Sequence, residues 1–356
     1  MIPSIIKDRH YRKARRLCEK HVKEVRSPEL VQDPMLSVLF VTYNHARFVR
    51  QALESVLMQK ASFPFEIVIS DDCSTDGTRQ IVQEYYEKHP DKIRLLLSNK
   101  NLWNFRGNGT GSAIALAVYE AGHRSKYNAI LEGDDYWTRS DKLDVLVGEL
   151  EKDQKAAMAF HNYVKLNENT GIVENSSLDA TKDVESDQLM ILGGRLVISY
   201  VYRSFHYESF LRCLYRYNIT GDRLLVNFIG RLGYAKHIRS LGVAAVYRMH
   251  ASGTHSSLNK NDKLRRNINT LHSLYSILNN DGYSETSKKI GREFEKKALN
   301  YLSQLKSKYL IDKFYIYLAH YYITYRQWIC LKNLLIMYMS NMKTKIVTKK
   351  SINKKS

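Results

Sequence analysis

The sequence predicts an α/β fold: a twisted, mostly parallel sheet with helices on both faces, followed by a helical C-terminal region. Three observations predict it. Apolar, β-branched runs alternate with stretches of helical spacing through the first part of the chain. Two of those runs end in adjacent acids, which a parallel sheet brings to one common edge. All 5 prolines of the 356 residues lie at or before Pro90, and glycine thins out late in the chain, which permits long helices there.

The first run, Leu36 to Thr42 (LSVLFVT), is apolar throughout, as a strand buried on both faces must be, and Tyr43-Asn44 closes it. Phe48, Val49, Ala52, Leu53, Val56 and Leu57 then recur at helical spacing, and Phe65 to Ser70 gives a second strand ending in Asp71-Asp72. The three elements make a βαβ unit. Asp76-Gly77 is a turn signal, after which the pattern predicts a helix over 78–86 and a strand over 93–97. A further helix is expected over 112–121, and a fourth strand, Ala129 to Leu131, runs into Glu132-Gly133-Asp134-Asp135. Short strands are expected at 158–161, 196–200 and 244–247, with a helix opening at Gly221-Asp222. Helices are expected across 261–280, 285–308 and 309–340, and no repeat of 20–50 residues is evident. The domain reading is a basic N-terminal extension (1–33), a catalytic domain (34–258) and a helical C-terminal region with a basic tail (259–356).

The formal charge is +19, but it is unevenly placed. Residues 1–33 carry 9 basic and 5 acidic side chains, residues 34–287 carry 30 and 28, and residues 288–356 carry 16 and 3. A nearly neutral centre between basic ends argues against extended nucleic-acid contact by the folded middle, so no nucleic-acid partner is expected. Cys18, Cys73, Cys213 and Cys330 form no metal-ligand or disulfide spacing, and Met1 to Lys13 has no apolar signal core. A reducing, cytoplasmic setting is the expectation. Near the C-terminus, Leu310, Phe314, Tyr315, Tyr317, Leu318, Tyr321, Tyr322, Tyr325 and Trp328 precede a tail with Lys343, Lys345, Lys349, Lys350, Lys354 and Lys355 and no acid. The longest charge-free run there is 12 residues, against about 20 needed to span a bilayer. This composition suits an interfacial helix on anionic lipid, making the protein peripheral on the inner face of the membrane. The same apolar surface suits a second copy of the chain, which leaves a homo-oligomer open.

Carboxylates converging on one sheet edge repel each other, and a divalent cation is the simplest compensation. Val38 to Asn44, Asp71 to Thr78 and Leu131 to Trp137, each at a strand end and in this order, together resemble family 2 glycosyltransferases of the GT-A fold. The resemblance extends over about residues 34–255, with Gly221-Asp222-Arg223 and Val246 to His250 similar to the family's later elements. It implies inverting transfer from a nucleotide-sugar, favouring a UDP-sugar, to a hydroxyl of a glycan or lipid-linked acceptor in cell-surface polysaccharide synthesis, with Mn2+ or Mg2+ as cofactor.

By the same resemblance Asp135 binds the metal and Asp134 the ribose or metal, with Glu132 as a neighbour. Asp71 would accept from the uracil imide, Tyr43 would offer a flat face, and Val41 and Thr42 would contribute backbone. Asp222 would be the base; the family often carries an acidic pair there, whereas Thr220-Gly221-Asp222 supplies one acid. Arg248 would join the donor-binding residues, and His250 would meet the metal or a phosphate. Plain structural readings stand beside these: Tyr43 as a packed sheet-edge residue, Asp72 and Asp222 as helix caps, His250 as a packed histidine. Two other functions stay open, a sugar-nucleotide pyrophosphorylase on the same fold and a noncatalytic basic protein binding membrane or RNA. The glycine-rich 107–111 stretch lacks the lysine of a phosphate-binding P-loop.

Overall fold

A computed structural model describes residues 9–103, 112–176, 181–192, 198–217, 219–251, 253 and 259–302, with isolated positions at 318, 334, 335 and 338. The chain divides into two compact units, Met1–Asn259 and Lys260–Ser356.

The first unit is built on an eight-stranded sheet. In chain order its strands are β1 (Val22–Val25), β2 (Leu36–Thr42), β3 (Phe65–Asp71), β4 (Ile93–Ser98), β5 (Tyr127–Glu132), β7 (Ala156–Phe160), β10 (Tyr200–Arg203) and β11 (Tyr234–His237). They lie side by side in the order β1-β4-β3-β2-β5-β10-β7-β11. β2, β3, β4 and β5 are parallel, with Thr42 opposite Asp71 and Val41 opposite Glu132. β10 runs antiparallel between β5 and β7. A second sheet orders β6 (Tyr136–Trp137), β12 (Val243–Met249), β8 (Asn162–Asn167) and β9 (Val173–Asn175).

Helices cover both faces, as alternating apolar strands require. Val38, Phe40, Ile67, Ile69, Leu95, Ala129 and Leu131 pack with Val49, Leu53 and Val56 of α2 (Val49–Leu57). Leu143, Leu146, Val147 and Leu150 of α5 (Lys142–Lys152) join the same cluster. Each large aliphatic side chain fully buried in this way contributes about 1.5–3 kcal/mol, so the strands that carry the acids sit on a rigid base. On the opposite face α4 (Ile114–Gly122) comes so close that a Cβ on Gly122 would stand 2.9 Å from Leu39 Cδ2. Glu66, the one charge inside the second apolar run, is buried and accepts from Arg94 Nη2 at 2.9 Å and Ser37 Oγ at 2.7 Å.

Several expectations shift. Residues 9–25 of the expected extension are built into the first unit: α1 (Arg9–His21) buries Tyr11, Ala14 and Cys18, and β1 adds antiparallel to β4. The strand expected at 196–200 is the antiparallel Tyr200–Arg203; residues 193–197 lie outside the described residues. Helices α5, α6 (Ser186–Leu192) and α7 (Tyr207–Arg216) were not anticipated. α3 spans Thr78–Lys88 and α8 spans Gly221–Gly230.

The second unit contains α9 (Lys260–Asn280) and α10 (Ser284–Leu302), joined by a turn in which Gly282 takes φ 85°. His272 packs on Phe294 across the pair at 5.4 Å. The expected 309–340 helix and basic tail fall outside the described residues, apart from the isolated positions 318, 334, 335 and 338. No helix among the described residues is long and apolar enough to cross a membrane.

Candidate active site

The site forms where the parallel strands β3, β2 and β5 end side by side. β2 stops at Thr42, and Asn44 turns the chain with φ 54°. That turn is held by the Ser-Thr-Asp-Gly-Thr segment that follows β3. The Asn44 N–H donates to Ser74 Oγ at 2.9 Å, the His45 N–H to Thr78 Oγ1 at 2.8 Å and the Ala46 N–H to Asp76 Oδ2 at 3.0 Å. Asp76-Gly77 is thus more than a turn: Asp76 also accepts from the Thr78 N–H, and Gly77, at φ 99°, starts α3.

Asp71 is fully buried and its Oδ2 receives Arg79, Nε at 2.7 Å and Nη2 at 2.6 Å. Its Oδ1 is buried with no hydrogen-bond partner. Asp72 does not cap a helix; it accepts the Leu102 N–H at 2.8 Å. Burial, and after it the charge of Asp71, pushes Asp72 up to about 6. Tyr43 stands past the strand end, 43% exposed, which removes the reading of a packed edge residue. The Val41 carbonyl accepts the Gly133 N–H at 2.8 Å, so of Val41's backbone the carbonyl is already taken.

The acidic loop after β5 must approach the β2 turn closely. A Cβ on Gly133 would stand 2.7 Å from Thr42 Oγ1 and 3.0 Å from His45 Nδ1, so only glycine fits. Glu132, Asp134 and Asp135 each offer a carboxylate oxygen within 4.8 Å of the others. Asp134 Oδ2 faces His250 Nε2 at 3.0 Å and His45 Nε2 at 3.7 Å. Burial raises Asp134, but the His250 hydrogen bond and the His45 charge outweigh it and hold the carboxyl below the usual range. Burial, then the charges of Asp134 and Glu132, lift Asp135 well above it. Glu132 is half-buried; loss of water around it, then the charges of Asp134 and Asp222, pushes it up to about 8. Asp134 Oδ1 and Asp135 Oδ2 are buried without partners.

Those two oxygens and the raised acids make a donor set that fits a divalent cation: hard oxygen ligands, crowded negative charge and unsatisfied acceptors at one point. Asp222 lies in the first turn of α8, whose N-cap is Thr220, so Asp222 is not the cap. Its charge reaches Glu132, Tyr119 and Tyr200, which sets it on the side of the acidic loop. His250 is buried, tilted on Phe48 with ring centroids 4.8 Å apart.

Arg248, expected among the donor-binding residues, turns its guanidinium to protein: Nε donates to Glu168 Oε1 at 2.8 Å, Nη1 to the Asp134 carbonyl at 2.6 Å and Nη2 to Gln51 Oε1. Sequence reasoning also passed over His45, Arg79 and Glu168. His45, two residues past Tyr43 at the end of a motif strand, was the one with a readable signal.

Residues 37–220 match the family described as glycosyl transferase family 2. An uncharacterised protein of Mycobacterium tuberculosis is 34% identical over 35% of this chain and 34% of its own length. The putative teichuronic acid biosynthesis glycosyltransferase TuaG of Bacillus subtilis is 34% identical over 36% of this chain and 47% of its own. The match thus spans less than half the length of these curated relatives. Among solved structures, residues 1–349 of TarS from S. aureus in complex with UDP-GlcNAc align over 80% of each chain at 19% identity with a TM-score of 0.58, a likeness of fold. With the family match covering just over half of the sequence, the chain belongs to glycosyl transferase family 2.

Proposed function

We propose that this chain is an inverting, divalent-cation-dependent glycosyltransferase that moves a sugar from a UDP-sugar to a hydroxyl of a glycan or lipid-linked acceptor in cell-surface polysaccharide synthesis. One observation carries the reading: three carboxylates within 4.8 Å of one another, two with buried orphan oxygens, at the end of the parallel sheet. The bound complexes of TarS with UDP-GlcNAc and UDP support the nucleotide class.

Asp134, Asp135 and the neighbouring Glu132 would hold Mn2+ or Mg2+, with His250 beside them as a further ligand or as the group that orients Asp134. A cation bound there offsets the negative charge that the nucleoside diphosphate gains as it leaves. Asp71 has one carboxylate oxygen spent on Arg79 and one free, which suits the single N–H donor of a uracil ring. Tyr43 supplies an exposed aromatic face for that ring. Asp222 takes the acceptor hydroxyl's proton as the oxygen bonds to the anomeric carbon and the bond to phosphate breaks. The aromatic, lysine-rich C-terminus is proposed to meet anionic lipid at the cytoplasmic face; liposome binding unchanged by removal of 309–356 would rule that out.

The test is a donor screen with UDP-, GDP- and dTDP-sugars, each with Mn2+ and with EDTA, read as nucleotide release and as product mass. Cation-dependent turnover of a UDP-sugar is expected. Turnover of only GDP-sugars would overturn the uracil assignment, and full turnover in EDTA the cation.

A further inference from the structure

Arg248, in β12, is 5% exposed, and each of its three guanidinium nitrogens donates a hydrogen bond inside the protein. Three separate stretches of chain meet on it. Nε donates to Glu168, just past β8; Nη1 to the main-chain carbonyl of Asp134; and Nη2 to Gln51 of α2. The flat cation lies 4.3 Å from the Tyr136 ring centroid and 5.1 Å from that of Phe48. In addition, the N–H of Arg248 donates to Asp135 Oδ1 at 2.7 Å.

We propose that Arg248 is a positioning residue for the cation, clamping the Asp134-Asp135 loop so that the two orphan carboxylate oxygens converge, and that it makes no contact with the donor diphosphate. The inference rests on the reading that these acids hold a divalent cation. Its physical basis is geometric. Asp134 and Asp135 are adjacent, so the directions of both carboxylates follow from the loop's main-chain path. One group on Arg248 fixes that path at the Asp134 carbonyl, and another fixes the Asp135 carboxylate itself. Asp135 Oδ1 is thereby spent, leaving Oδ2 as its remaining acceptor; at Asp134 the His250 bond to Oδ2 leaves Oδ1.

Arginine suits this place because three donors in a rigid planar fork reach three acceptors at set angles while the faces stack on aromatics; lysine has one point charge and no plane. Glu168 is shared with Arg47, whose Nη2 lies 3.3 Å from Oε2, so the clamp is anchored on the turn after β2 as well. Groups one step behind metal ligands typically change affinity 10- to 100-fold when removed; here the side chain holds the loop at the Asp134 carbonyl, while the main-chain N–H that Asp135 accepts stays in every variant.

The experiment uses the full chain and the variants Arg248→Met and Arg248→Lys. Mn2+ affinity is measured in the presence of UDP from the free-ion paramagnetic resonance signal, and UDP affinity in EDTA by calorimetry. Arg248→Met is expected to weaken Mn2+ by about 10- to 100-fold. UDP affinity in EDTA stays within about twofold, and Arg248→Lys falls between. Wild-type Mn2+ affinity in folded Arg248→Met would overturn the proposal. So would an equal loss of UDP affinity in EDTA, since the guanidinium would then be a diphosphate ligand. Asp135→Asn separates the two levels: if it too keeps full Mn2+ affinity, the cation reading itself has failed. Should Arg248→Met not fold, Gln51→Leu and Glu168→Leu each remove one arm of the clamp; each is expected to weaken Mn2+ several-fold, and no change in either would overturn the clamp.

Discussion

Two acidic pairs end neighbouring strands of one sheet, yet they live under different electrostatics. After β3, Asp71 is paired with Arg79 and Asp72 accepts a main-chain N–H. After β5, Glu132, Asp134 and Asp135 crowd within 4.8 Å and are met by two histidines and one N–H, with the nearby guanidinium turned to the Asp134 carbonyl. The first pair has an arginine directly on a carboxylate; in the second group the nearby Arg248 is paired with Glu168 and turned to a main-chain carbonyl, so among the described residues no arginine or lysine bonds the three carboxylates through its side chain. A difference in pairing, which composition does not reveal, is what suits the second group and not the first to a divalent cation.

The largest expected effect tests the second group. Asp135→Ala should lower transfer from a UDP-sugar on the order of 10³-fold or more, the scale of losing a group that balances charge in the transition state. The apo protein should melt no lower than wild type, because burial and like charge already disfavour the ionised Asp135. Activity within tenfold of wild type would erase the contrast.

The next test removes the internal cation of the first pair. Arg79→Met strands the fully buried Asp71 and should cost about 3 kcal/mol in urea unfolding, the scale of breaking a buried ion pair from one side. A cost near zero would show that Asp71 does not depend on its arginine.

Asp222→Asn sharpens the assignment of the base. It should lower kcat on the order of 10²-fold while the donor's KM stays within about twofold. A rise confined to KM would put Asp222 in donor binding instead.

The smallest effect concerns pH. Asp72 sits at about 6 in the folded chain, above its ordinary 3.8, so the fold favours the neutral acid and loses stability as pH rises from about 4 through 6. Asp72→Asn keeps an acceptor for Leu102 and removes the charge. It should therefore be more stable than wild type at pH 7.5, with the gap closing as pH falls toward 4. A gap independent of pH would contradict the burial of an ionisable acid there.

Strands β2, β3 and β5 were legible because strands covered on both faces read as unbroken apolar runs, and their acids followed by position. β1, with Lys23 and Glu24 exposed on an edge, has no such pattern, so residues 9–25 read as an extension. β10 was misplaced by several residues because Leu196 to Tyr200 is just as apolar as the strand itself. At the site, motif spacing brought out Asp71, Asp134 and Asp135. It did not reveal that Arg248 is consumed by Glu168 and Gln51, which lie 80 and 197 positions away in sequence. Pairings at that separation are set by the fold, and a charge two positions before a histidine says nothing of which way it turns.

The acids after β5 are proposed to gather around a cation that balances a departing nucleoside diphosphate. The most direct test is an anomalous difference map at the manganese edge from crystals grown with UDP and Mn2+. One peak is expected, touching Asp134 Oδ1 and Asp135 Oδ2 on one side and the diphosphate on the other. A peak beside Asp71, or UDP bound with Asp134 and Asp135 turned away from any ion, would contradict it.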